Sequence, residues 1–119
     1  MNIKYNVYMS IYRALKRGGA SRWEEKLGYS INELRKHLEI QFKEDMNWDN
    51  YGKVWGIKWY IPHRYYSNIE IKNAWSLKNC YPEYLTKIKK NTKFNPEIVV
   101  EKSLIDILPI GKLPFKIRV

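Results

Sequence analysis

The 119 residues suffice for one domain, and a composition 45% hydrophobic and 29% charged excludes wholesale disorder. Lys and Arg number 22 against 12 Asp and Glu, and the net charge of +10 points to a polyanionic partner, nucleic acid first and a membrane surface or an acidic protein second. The single cysteine, Cys80, excludes an intramolecular disulfide and zinc sites of four cysteines or of two cysteines and two histidines. No run approaches the roughly 18 apolar residues of a membrane span. The opening Met1-Asn2-Ile3-Lys4-Tyr5 lacks the apolar core of a signal peptide, so a cytoplasmic setting is expected. Abundant Lys, Asn, Ile and Tyr suit AT-rich coding, as in a low-GC bacterium, a phage or a virus.

In chain order, residues 2–17 carry Val7, Ile11, Ala14 and Leu15 at helical spacing, and Gly18-Gly19 stops the helix. Ser21 with Glu24 and Ser30 with Glu33 have capping-box spacing. They predict a short helical turn over 23–27 and a helix over 31–43 with Leu34, Leu38 and Phe42 on one face. A loop rich in Asn, Asp and Gly follows over 45–52. Residues 54–61 crowd Val, Trp, Ile and Tyr into a predicted strand that Pro62 ends. A connector over 63–68 and a short helix over 69–75 come next. A second strand over 77–81 is expected to stop at Pro82, and a helix with a basic face covers 84–90. Asn95-Pro96 breaks the chain. The tail holds β-like runs at 98–100 and 115–119, with 103–108 either strand or short helix, and Pro109, Gly111 and Pro114 as punctuation.

Several strings resemble the phage-type HNH endonucleases, whose fold is the ββα-metal nuclease unit. The likeness begins at Tyr12-Arg13-Ala14-Leu15-Lys16 and continues through Leu27-Gly28-Tyr29-Ser30, Leu34, His37-Leu38-Glu39 and Gln41-Phe42. It is most specific in Met46-Asn47-Trp48-Asp49-Asn50-Tyr51-Gly52, and resumes at Trp55, Ile57, Ile61-Pro62, Trp75-Ser76-Leu77-Lys78-Asn79 and Pro82. It ends near Lys90, about two thirds of the chain. The resemblance implies an α+β fold: N-terminal helices, then a degenerate HNH-like ββα unit, then a β-rich C-terminal tail. The expected organisation is an HNH-like domain over 1–94, helical over 1–44 and ββα over 54–90, with a C-terminal extension over 95–119 packing on it.

The family's strand typically reads W-H-I-D-H-I-I-P, with the Asp binding a divalent metal and the second His acting as general base. This chain reads Trp55-Gly56-Ile57-Lys58-Trp59-Tyr60-Ile61-Pro62. Gly56, Lys58 and Trp59 therefore replace the first His, the metal ligand and the base. Asn79 matches the family's middle Asn. The last ligand falls at Ile88, or at Lys87 with one residue deleted, and a charged lysine offers no lone pair to a cation. The positions Gly56, Lys58, Trp59, Asn79 and Lys87 are thus vestigial, and neither metal, cofactor nor catalytic residue is expected.

Two functions follow from different readings. As a nucleic-acid-binding protein descended from a nuclease, the chain would use Lys58, Arg64, Lys72, Lys87, Lys89 and Lys90 on phosphates of DNA or RNA. As a phage anti-defence inhibitor, of the kind that blocks CRISPR effectors, it would offer Trp59, Tyr60, Tyr65 and Tyr66 to a host defence protein or ribonucleoprotein. An active nuclease with an unorthodox site is a third class. No membrane is expected among the partners. His63 is read as a loop histidine ahead of a replacement base, and His37 as structural. Asp45, Asp49 and Asn50 read as turn and capping residues, Cys80 as a buried thiol, and Trp48 and Trp55 as core.

Overall fold

Each N-terminal helix is fixed by its ends. In the computed structural model, which describes residues 2–90, 98–111 and 115–118 apart from the side chains of 88–90, 98 and 115–118, α1 spans Ile3–Arg17. The Asn2 side chain accepts from Tyr5 N at 3.1 Å, and Gly18 closes the helix in the left-handed conformation at φ 77°. Val7, Ile11, Ala14 and Leu15 form its buried stripe. Each fully buried Leu or Ile contributes about 2 kcal/mol through apolar area removed from water.

The second helix, α2 (Glu24–Leu27), starts differently from the expected capping box. Ser21 Oγ accepts from Trp23 N at 3.1 Å and pairs with Ser10 Oγ at 2.9 Å. Glu24 reaches forward, and its Oε2 accepts from Ile31 N at 2.7 Å. It thereby serves the exposed N–H groups of the next helix, α3 (Ile31–Glu39). There the box is present: Glu33 N donates to Ser30 Oγ at 3.1 Å, and Ser30 N donates back to Glu33 Oε1 at 3.3 Å. α3 ends short of the predicted 43. Gln41 N and Phe42 N bond carbonyls three residues back, at 3.0 and 3.1 Å, which tightens the chain out of the α-helix. The Gln41 amide also takes the His37 carbonyl, at 2.9 Å.

The Asn-rich loop is an aromatic plug. Asn47 and Asn50 exchange side-chain-to-backbone bonds, both 3.0 Å, and Asn50 Nδ2 also holds the Asp45 carbonyl. Tyr51 and Trp55 are buried and stacked with ring centroids 4.5 Å apart. Phe42 and Trp48 pack edge-on or tilted around them. Trp48 Nε1 donates to Glu39 at 2.7 Å and Trp55 Nε1 to the Asn47 carbonyl at 2.7 Å. Gly52 sits at φ 89°, and a methyl group there would run into the Tyr12 hydroxyl. Gly52→Ala is therefore expected to cost at least about 1–2 kcal/mol, read as a lowered urea midpoint. An unchanged midpoint would mean that this turn relaxes freely.

Strands β1 (Trp55–Trp59) and β2 (Cys80–Tyr84) form an antiparallel pair with Ile57 opposite Pro82. Pro82 does not stop the strand, contrary to the expectation from sequence. Tyr60 N bonds Asn79 O and Leu85 N bonds Val54 O, so the hydrogen-bonded pairs are the alternate ones. At the Ile57–Pro82 pair the proline nitrogen faces away from β1, where no N–H is needed. The two-residue period turns Trp55, Ile57 and Trp59, with Cys80, Pro82 and Tyr84, toward the core, and Lys58 with Tyr81 outward.

The 20 residues between the strands hold a 3-10 turn at His63–Tyr65, α4 (Ile71–Ala74) and a second 3-10 turn at Leu77–Asn79. α5 (Leu85–Lys90) follows β2 and packs on both strands. The chain is thus α+β, with helices first and a strand–strand–helix unit after them. Beyond it β3 (Ile98–Glu101) and β4 (Phe115–Arg118) pair in parallel around a 3-10 helix, Lys102–Ile107, which resolves the 103–108 ambiguity in favour of helix. The Asn95-Pro96 break and Pro114 lie outside the described residues. Val100, Leu104 and Ile107 join the core, Tyr66 Oη donates to the Ile107 carbonyl at 2.7 Å, and Lys78 pairs with Asp106.

Candidate functional site

The connection from β1 to β2 is pinned by Asn79. This side chain is fully buried and fully bonded: its Oδ1 accepts from Ile61 N at 2.8 Å. Its Nδ2 donates to Ala74 O at 2.9 Å and Ile61 O at 3.2 Å. One residue thereby joins the end of β1, the end of α4 and the start of β2. His37 contributes from α3, its Nε2–H donating to the Cys80 carbonyl at 2.9 Å.

Trp59 turns inward, and the imidazole of His63 stacks on it with centroids 3.6 Å apart at 24°. Tyr8 and Trp75 close around Trp59 at 6.2 and 5.4 Å. His63 Nε2 lies 2.7 Å from the Ala74 carbonyl, which can only accept, so that nitrogen carries the proton. Burial drives the His63 pKa down to about 4, against the raising effect of that bond and with help from the Lys4 charge. This is a neutral, occupied imidazole, held as structure rather than poised as a base. Trp59 and Tyr66 are corrected as members of an exposed binding patch. Trp59 lines the core, and Tyr66 is only 2% exposed, with its hydroxyl spent on the tail.

The outer face of the hairpin is different. Lys58 stands opposite Tyr81, and Tyr60, 51% exposed, lies with its ring 4.3 Å from that of Tyr81 at 31°. Burial, with the Tyr60 phenol and the Glu83 carboxylate nearby, pushes the Tyr81 phenol up to about 12. Glu83 pairs across from Gly56. Burial opposes its ionisation, but the Tyr84 N–H, the Lys43 bridge at 3.2 Å and the Lys87 charge together hold its carboxyl below the usual range.

The divalent metal implied by the family resemblance does not fit these residues. Lys58 and Lys87 present ammonium groups, Trp59 faces the core, and Glu83 Oε1 already serves Lys43 and Tyr84 N. Among the described residues no three His, Cys, Asp or Glu side chains gather into a group able to hold a metal.

Of the remaining expected contacts, Lys72 lies in a different groove. Arg64 is exposed and lies over the Tyr65 ring, 4.8 Å from its centroid. Tyr65 is half-buried. Lys72 extends over Gly28 into a groove with Lys26 and Trp23, apart from the hairpin face. The side chains of Lys89 and Lys90 lie outside the described residues. Tyr81 is the site residue that the sequence reading did not single out. Its signal was the two-residue period of β2 continued through Pro82.

Neither a family model nor a solved structure matches the chain. It is similar to an uncharacterized protein of Acanthamoeba polyphaga mimivirus, at 35% identity over 101 residues. The match covers 80% of the chain and 44% of that relative, so the chain spans less than half of the relative's length. Among the described residues no helix is long and apolar enough to cross a membrane.

Proposed function

We propose that the chain is a catalytically silent HNH-like protein that binds nucleic acid on the outer face of its β1–β2 hairpin. The observation that carries this reading is Lys58, at the position of the family's metal-binding Asp, beside the tilted Tyr60–Tyr81 ring pair. A cation at the former metal position takes the charge of a phosphate instead of binding a metal ion, and the adjoining rings supply a surface for an unpaired base. Similarity to a mimivirus protein supports a viral origin and action inside a host cell.

The test is fluorescence anisotropy with labelled 20-base single strands of DNA and RNA and a matching duplex. Tyr60→Ala with Tyr81→Ala should weaken single-strand binding by about 1–3 kcal/mol per stacked base. Lys58→Ala should lower the salt slope by about 0.7 on single strands. Unchanged affinity in both variants would sink the reading, as would plasmid cleavage by the purified chain with magnesium or manganese. A second reading, an anti-defence inhibitor, rests on the same exposed Tyr60 ring and on the viral relative. It forecasts capture of a host nucleoprotein that Tyr60→Ala abolishes and salt barely alters.

A further inference from the structure

A second basic feature lies on α1, away from the residues singled out above. Along one side of this helix Asn6, Ser10, Arg13 and Arg17 line an open groove of about 370 Å³, and Arg22, from the link to α2, completes it. The Ser10–Ser21 hydroxyl pair, 2.9 Å, ties that link to α1 and holds Arg22 at the groove. The chain has 12 acidic residues, yet no carboxylate lines this groove. Among the described residues the Arg13 and Arg17 guanidiniums have neither hydrogen bond nor ion pair, and the contact found for Arg22 is with the Trp23 ring, at 5.4 Å.

Several cations elsewhere are partnered. Arg35 holds the Leu15 carbonyl and Glu39, Lys43 pairs with Glu83, Lys78 with Asp106, and Lys4 donates to the His63 carbonyl. Arg13 and Arg17 also stand four residues apart on one helix, a like-charge spacing that disfavours the helix unless an anion intervenes. Three exposed guanidiniums with no carboxylate among them in one concavity suit an anion bearing several charges.

We propose that this groove is a second phosphate-binding surface, which takes the phosphodiester backbone of a nucleic acid. It rests on the nucleic-acid reading above only for the identity of the polyanion. Arg13 and Arg17 are separated by about 6 Å along the helix axis, roughly two of the ~3.4 Å axial rises per phosphate on one strand of a duplex. The planar guanidinium fork matches a pair of phosphate oxygens, and backbone contacts of this kind fix register without reading sequence. Asn6 and Ser10 add hydrogen-bonding groups on the same wall.

The experiment measures binding of the full chain to a labelled 20-base-pair duplex, its single strand and a scrambled duplex, at about 50 and 200 mM salt. Four proteins are compared: the natural sequence, Arg13→Ala/Arg17→Ala/Arg22→Ala, Lys58→Ala/Tyr60→Ala, and Lys36→Ala/Lys53→Ala/Lys102→Ala. The last removes the same charge from exposed positions outside the groove. The arginine triple should weaken binding equally for both duplexes, and its salt slope should drop by about 2.7, or about 0.9 per contact. Thermal melts should show no loss of stability, since all three arginines are exposed and Arg13 and Arg17 repel each other.

Unchanged affinity and slope in the arginine triple would overturn the groove, and so would an equal loss in the lysine control. If polyglutamate is bound and neither DNA nor RNA is, the groove belongs to an acidic protein partner and the proposal falls. If the arginine triple loses binding while Lys58→Ala/Tyr60→Ala keeps it, the groove stands and the hairpin reading fails. The reverse result removes the groove alone.

Discussion

Replacing Asn79 by Ala should destabilise the protein by about 3 kcal/mol, one of the largest effects any single polar substitution would have here. The side chain is wholly buried and makes three hydrogen bonds across the strand connection. Losing it strands the Ile61 N–H away from water, and an orphaned buried donor costs more than an average bond contributes. The Ala74 carbonyl is partly spared because His63 still donates to it. Asn79→Asp should be worse than Ala. It keeps the acceptor for Ile61 N but aims a second carboxylate oxygen at two backbone carbonyls in a desolvated place. Urea unfolding with an unchanged slope and a lowered midpoint is the readout. A loss below about 1 kcal/mol for Asn79→Ala would mean that the connection is held mainly by packing.

Acidification should expose His63. Its pKa is about 4 in the fold against an ordinary value of 6.5, so between those limits only the unfolded chain takes up the proton. Above pH 6.5 neither state is charged at this site and its contribution is constant. As pH falls from 6.5 toward 4, stability drops by up to about 1.4 kcal/mol per unit, on the order of 3 kcal/mol across the window. Glu70, Glu83 and Asp106 have depressed values, so their contributions are fully present above the ordinary carboxylate range and fade at lower pH. Denaturant titrations at pH 6.5 and 5 therefore isolate the histidine, with about 1.5 kcal/mol expected between them. His63→Phe should flatten that slope while keeping a ring on Trp59. A slope that survives the substitution would assign the effect elsewhere.

Where a signal is local, the sequence carried it. Asn2 and Gly18 bound α1 as read, Ser30 with Glu33 opens α3, and the apolar run centred on Trp55–Trp59 is a strand. Ser21 and Glu24 show the limit: the same spacing as Ser30 and Glu33, but the carboxylate caps a different helix. Spacing within a segment does not say which N-terminus lies nearest in space. Pro82 shows another, because whether its missing N–H matters depends on the register with β1, a pairing across a 20-residue connection. In the site, Trp59 could have been assigned inward by its period with Trp55 and Ile57. The burial of Tyr66 depends on the tail docking at Ile107, which no neighbour of Tyr66 announces. The placement of Lys72 in the groove with Trp23 and Lys26 is likewise a product of the tertiary path, and net charge alone does not report how cations are grouped.

Cys80 heads β2 in the middle of the core, with its sulfur 3.7 Å from the Trp75 carbonyl and its thiol pKa raised far above the ordinary range by burial. The thiolate is the attacking species, so neither oxidants nor alkylating reagents meet it while the chain is folded. Every labelling event then requires an excursion that parts β2 from α3. With maleimide concentrated enough for alkylation to outpace reclosing, the time course would clock those openings at neutral pH and without denaturant, giving the native ensemble an internal stopwatch that needed no engineering.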